Sequence, residues 1–199
     1  TALAIARSNH NIVYAISADS ASDRADNVLG VFRSSNGGST WADVTTTGRA
    51  AHGSRWDLGV SAIGRMGRII TALEDFDQTD LRRRTHPLVG AASLHCALID
   101  GGTGLSTYAP SCRLQIERRT LPGETPEQVG AELTAVVKHA DDTARVEVTF
   151  SRDPSVCDTT ATIVGRVSDA IAMVTGTTPA HTGVGFWMDA AVFSAAGIP

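Results

Sequence analysis

The chain predicts an α+β fold in which residues 45–152 form a ferredoxin-like β-α-β-β-α-β two-layer sandwich. An N-terminal β-hairpin segment (1–44) precedes it and a C-terminal helical segment (153–199) follows. Three observations carry this expectation. Two stretches of 45–152 repeat apolar residues at helical spacing, and four strand-like stretches alternate or run β-rich. The two kinds occur in the order strand, helix, strand, strand, helix, strand.

The elements follow in order. In 1–44, Ile12 to Ser17 is β-rich, and a polar loop, Asp19 to Asn27, separates it from a second run, Leu29 to Arg33. In 45–152, the first strand is expected at Val44 to Arg49. Leu58, Ala62, Ile63, Met66, Ile69, Ile70 and Leu73 set a helix over Asp57 to Phe76, despite Gly64 and Gly67. Leu94, Cys96 and Leu98 alternate in a strand that Gly101 and Gly102 end, and Cys112, Leu114 and Ile116 alternate in the next. Thr125-Pro126-Glu127-Gln128 reads as a capping box with Pro at the first helical position, opening a helix with Val129, Leu133, Val136 and Val137 on one face. Val146, Val148 and Phe150 alternate against Arg145, Glu147 and Thr149 in the last strand. Beyond Asp153-Pro154, Ile163, Val164, Val167, Ile171 and Val174 keep a helical period that Gly176 ends.

Composition narrows the function classes. With 42% hydrophobic and 19% charged residues the chain reads as globular rather than disordered. A net charge of −4 without a basic stripe argues against nucleic acid and anionic membranes as partners. Arg82 to Arg84 reads as a solvated loop. No apolar run approaches the roughly 18 residues of a spanning helix, and no signal-peptide pattern opens the chain. Cys96, Cys112 and Cys157 form no CxxC pair; they read as reduced, buried thiols, which suits the cytoplasm.

The run Ser34 to Trp41, SSNGGSTW, resembles an Asp-box, the hairpin signature S-x-D-x-G-x-T-W of sialidase-type and sortilin-type propeller blades. Ser34, Gly38, Thr40 and Trp41 match, and Asn36 stands where Asp is usual. A propeller needs about 4 to 8 blades, and one box without a repeat makes none. A glycan-binding or sialidase-like fragment is therefore the weakest of three readings.

The stretch from Gly48 to Leu133 says more. GRAAHGSRWDLGVSAIGRM, then HPLVGAASLHCALIDGGTGLSTYAPSCRLQIERRTLPGETPEQVGAEL, resembles the dimerisation (lid) domain of the zinc amidohydrolases of clan MH. This family includes acetylornithine deacetylase, succinyl-diaminopimelate desuccinylase, carboxypeptidase G and aminoacylase. GVGFWMDAAVFSAAGIP resembles the return from lid to catalytic domain, which would make 153–199 a helical remnant of an α/β catalytic domain.

The resemblance implies roles for three residues. His52, in AAHGS, matches an imidazole that crosses the dimer to help hold the oxyanion in the partner's site; the alternative is a loop cap. Arg119, in Glu117-Arg118-Arg119-Thr120-Leu121-Pro122-Gly123-Glu124, matches a substrate-carboxylate anchor; the alternative is a surface arginine. Its neighbour Arg118 shares parity with the apolar residues and is expected to snorkel. Asp189 matches an acid near the substrate pocket, with helix N-capping as the alternative. Ser106 stands where the family commonly has Asn.

Complete relatives hold two Zn²⁺ through a His-x-Asp, a bridging Asp, a Glu-Glu pair, a further acid and a late His. None of these is expected here, so metal ligands and cofactors are expected to be absent from this chain. His139-Ala140-Asp141 spells His-x-Asp, but at a helix end rather than after a strand. The leading expectation is thus a fragment or fusion related to hydrolases of N-acyl amino acids or peptides, inactive alone. The second is a homodimerisation or interaction module without catalysis.

Overall fold

A computed structural model describes residues 37–198 and two short strands before them, β1 (Ala2–Ile5) and β2 (Val13–Ile16). These two pair antiparallel, Ala2 opposite Ile16 and Ile5 opposite Val13, so β2 falls inside the expected Ile12 to Ser17 strand. The Leu29 to Arg33 strand, the Asp19 to Asn27 loop, Ser34 and Asn36 lie outside the described residues.

The expected sandwich is present. A four-stranded antiparallel sheet has the order β6-β7-β3-β8, from β3 (Gly38–Thr47), β6 (Ser93–Gly101), β7 (Ser111–Thr120) and β8 (Arg145–Arg152). Helices α1 (Ala62–Thr79) and α2 (Pro126–Ala140) cover one face. Met66, Ile69 and Leu73 of α1 and Val129, Leu133 and Val137 of α2 meet Val44, Leu114 and Ile116 of the sheet. Each such side chain contributes about 1.5–3 kcal/mol when fully buried. The Thr125 capping box forms in both directions, with Thr125 Oγ1 accepting from the Gln128 amide and Gln128 Oε1 accepting from the Thr125 amide.

Several expectations need correction. The first strand is Gly38–Thr47 rather than Val44 to Arg49, and it pairs on both sides along its length. It runs unbroken across the expected junction at residues 44 and 45. Gly38, Thr40 and Trp41 of the Asp-box lie inside this central strand, so the propeller reading gains no support. The first helix starts at Ala62 rather than Asp57, because Ser61 is its N-cap and accepts from the Gly64 amide. Asp57 instead pairs with Arg55 at 2.8 Å in the preceding loop.

Two β-bulges break the alternation read from the sequence. Trp41 faces Phe150 while Ala42 faces Val148, so Thr149 is the extra residue on β8. The reversal turns Phe150 to the helix-free face, its ring 5.0 Å from that of Trp41. Ala97 is likewise extra on β6, which turns Leu98 out beside Gln115. A short hairpin, β4 (Thr85–His86) with β5 (Gly90–Ala91), had no signal in the sequence reading.

The three arginines Arg82 to Arg84 are not simply solvated. Leu81–Arg83 is a 3-10 turn, Arg82 pairs with Asp77, and Arg84 pairs with Asp80, Glu124 and Glu132. Arg118 does not snorkel; it is fully buried, and its Nη2 lies 2.6 Å from Glu124 Oε1. All three cysteines are free thiols, but only Cys112 is buried, and Cys96 and Cys157 are half-buried. Helix α3 (Thr162–Thr175) forms as expected and ends at Gly176, which takes the left-handed conformation (φ 75°). None of its residues is buried. Helix α4 (Ala190–Ala195) follows.

Candidate functional site: two ends of one sheet

His52 sits on the loop between β3 and α1. Gly48 opens this loop by donating to the Pro110 carbonyl at 2.7 Å, and Arg49 and Val60 exchange backbone bonds of 2.8 and 3.0 Å that close it. A Cβ at Gly48 would fall on the Val60 and Ala109 carbonyl oxygens, so only glycine fits there. The loop is stapled to residues 101–110: Gly53 donates to the Ser106 carbonyl at 2.7 Å, Tyr108 to that of Ala51 at 2.9 Å, and His52 bridges Thr107. Beside it lies an open groove of ≈ 660 Å³ lined by Ser61, Ile63, Gly102, Leu105 and Tyr108, among others.

The His52 side chain is exposed. Its Nδ1 lies 2.8 Å from the Ser54 hydroxyl and accepts from the Ser54 amide at 3.3 Å. In a neutral ring whose Nδ1 accepts from that amide, the proton sits on Nε2.

Arg119 lies at the other end of the same sheet. It faces the helix-free side, where Ser39 pairs with it on β7 and with Arg152 on β8. Its Nη1 donates to Glu117 Oε1 at 2.8 Å and to Ser39 Oγ at 3.3 Å, and its Nη2 donates to the Gly185 carbonyl. His95 Nε2 lies 3.6 Å from the second oxygen of Glu117. Further along this face Arg113 and Gln115 both donate to Asp43. Burial pushes the Asp43 carboxyl up, but these two donors outweigh it and leave it below 3.8.

The segment that holds Gly185 returns from α3 and lies against this end. Val184 accepts from the Gly37 amide at 3.1 Å. Trp187 lies over the Arg152 guanidinium at 4.7 Å, and Phe150 flanks the same group at 4.6 Å. Neither Arg152 nor Trp187 was singled out from sequence. The bulge at Thr149 hid the face that Arg152 shares with Arg119, and no local pattern reports a contact across residues 152 and 187.

The structure therefore separates the expected site residues. His52 extends from the Thr47 and Ser111 end, Arg119 from the Gly38 and Thr120 end. Arg119 stands eight positions beyond Ser111 along β7, a span of about 26 Å. Asp189 occupies the N-cap position of α4, but its side chain makes no capping bond, which corrects that alternative. Ser106 meets the His52 loop through its backbone carbonyl.

A zinc pair does not fit the described residues. Among them, no three or more His, Cys, Asp or Glu side chains gather where a metal ion could be held. Asp141 of the His-x-Asp spelling is occupied structurally: it accepts from the Thr143 hydroxyl and amide and faces Arg65 and Arg68. Those Thr143 donors hold its carboxyl below 3.8, helped by the two arginines.

A four-stranded sandwich with Arg119 and Arg152 at one end and the His52 loop at the other defines a class, and comparison with known proteins supplies the family. Residues 34–145 match the peptidase dimerisation domain of the M20 family, and the chain belongs to that family. It is 31% identical over 103 residues to acetylornithine deacetylase of Myxococcus xanthus, covering 51% of this chain and 27% of that protein. It is also 31% identical over 93 residues to N-formyl-4-amino-5-aminomethyl-2-methylpyrimidine deformylase of Bacillus subtilis, covering 46% and 22%. A tripeptidase from Staphylococcus aureus shares the fold, with a TM-score of 0.64, 21% identity, and 82% of this chain over 42% of that one. The chain thus spans less than half the length of each of these relatives.

Proposed function

We propose that this chain is the pairing and substrate-gripping lid of an amidohydrolase or peptidase acting on N-acyl amino acids or small peptides. Two copies would pair along β6. The carrying observation is the separation of His52 from Arg119 along one sheet. Within one copy the two cannot reach one small substrate. The outer edge of β6 is unpaired in the sheet, and Leu98 and Ile99 on it are 66% and 56% exposed. Antiparallel pairing of β6 with its symmetry mate would set Gly101 of one copy opposite Ser93 of the other, and Ser93 pairs with Arg119. The His52 loop of one copy then arrives beside Arg119 of its partner.

In this reading Arg119 grips a substrate carboxylate, and His52 Nε2–H from the second copy faces the oxyanion as it forms. Asp189 would lie near the same substrate. The family's metal dependence would come through residues other than those described here. Amidase chemistry would then need that metal-bearing part, and the cytoplasm is the setting that three free thiols suit.

The test is a mixed-dimer measurement. One copy carries a nitroxide on Thr103→Cys, with its three native cysteines replaced, and the other carries ¹⁵N-arginine. Broadening of the Arg119 Nε–H signal across the dimer is expected. A dimer that leaves this signal sharp would overturn the trans arrangement.

A further inference from the structure

Arg119 has company on its face of the sheet. Arg113 pairs with Asp43 and Arg119 pairs with Glu117 through Nη1, whereas among the described residues the Arg152 guanidinium lies against the rings of Phe150 and Trp187 and forms no ion pair. Among the described residues no carboxylate lies within ion-pair distance of it. Arg152 is exposed, and its guanidinium carbon lies 4.6 Å from the Phe150 ring centroid and 4.7 Å from that of Trp187, so its five N–H donors need no protein carboxylate to hold the group in place. Both arginines pair in register with Ser39, one on each side, so their backbones lie two strand spacings apart, about 10 Å. Their side chains rise from the same face and can converge on two anionic groups of one small molecule. A surface arginine kept only for solubility needs no contact with two rings, one of them brought by the segment that returns from α3.

We infer that Arg152 is a second carboxylate anchor, which makes the preferred substrates N-acyl derivatives of acidic amino acids. Arg119 would take the α-carboxylate and Arg152 the side-chain carboxylate. The Phe150 and Trp187 faces would pack the methylenes between them. This inference rests on the substrate-carboxylate role proposed for Arg119.

The test compares N-acetyl-L-glutamate with N-acetyl-L-glutamine, which differ in one charged group and hardly in shape. The full chain, labelled with ¹⁵N-arginine, is titrated at low salt. The dicarboxylate is expected to bind about fivefold more tightly and to shift the Nε–H signals of Arg119 and Arg152 together. Arg152→Gln should abolish the preference, while Arg152→Lys retains part of it. Arg145→Gln, at the far end of β8, should leave it intact and controls for general charge. Both ligands shifting Arg119 alone, or an undiminished preference in Arg152→Gln, would overturn the role of Arg152 and leave that of Arg119 standing. No shift at Arg119 with either ligand would remove both. Should Arg152→Gln fail to fold, the Arg152 signal of the parent decides: silence on adding the dicarboxylate rejects the anchor.

Discussion

His52 and Glu124 mark opposite extremes of what one side chain does here. His52 is exposed, and among the described residues its ring bonds only to Ser54 two residues away, so His52→Ala should cost no more than about 0.5 kcal/mol in chemical denaturation. A loss above about 1 kcal/mol would mean that the ring holds the loop together rather than serving a ligand. Glu124 gathers the Leu121 amide at 2.7 Å, Arg84 at 3.4 Å and the fully buried Arg118 at 2.6 Å. Glu124→Ala leaves Arg118 charged and without its carboxylate, and about 3–5 kcal/mol of stability should go with it. Glu124 of the Pro122-Gly123-Glu124 run therefore anchors the approach to α2. The identity of each residue was plain in the sequence, but its partner was not, since Arg84 lies 40 positions from Glu124.

Asp141 gives a pH signature at the same scale. Its folded carboxyl is held below the ordinary value of 3.8, so it contributes stability above that value and loses it as pH falls through the folded one. The gap in stability between parent and Asp141→Asn should be open at neutral pH and close as pH falls below about 4. A gap that persists to pH 2 would assign the loss to altered packing rather than charge.

At the scale of elements, the helices were legible and the strand faces were not. Helix α2 announced itself through Thr125, Pro126 and Gln128, all local signals within one turn. The start of α1 was misplaced because Leu58 continues the apolar spacing, although it belongs to a loop and is 45% exposed. Ser61 was the signal available for the true start. The bulges at Ala97 and Thr149 depend on cross-strand register, which no single strand's sequence carries. They reversed Leu98 and Phe150, and with them the reading of which residues share a face with Arg119. His52 and Arg119 were singled out by resemblance, and their placement at opposite ends needed the sheet order.

The loop carrying His52 depends on close backbone approach at Gly48, and this sets a further expectation. Gly48→Ala should cost about 1–3 kcal/mol, because its methyl group meets two carbonyl oxygens rather than flexible side chains. An unchanged melting curve would show that the loop has another way to close. Since Ala62, the first residue of α1, donates to the Ala109 carbonyl at 2.9 Å, the same change should also loosen the start of that helix.

At the scale of the whole molecule, the described residues gather no metal centre of their own. Purified chain with added Zn²⁺ or Co²⁺ should not turn over N-acetyl amino acids, because those residues bring no ligand cluster together. Metal-dependent turnover lost on His139→Ala would contradict that. Pairing is the more central matter, since Arg119 and His52 serve one substrate only if two copies meet along β6. Sedimentation velocity across low to high micromolar concentration tests this directly, on the parent and on Leu98→Lys, which places a charge on the exposed β6 edge. The account predicts a symmetric dimer for the parent and a monomer for Leu98→Lys with unchanged folded structure. A parent that stays monomeric at high micromolar concentration, or a Leu98→Lys variant that dimerises as well as the parent, would contradict it.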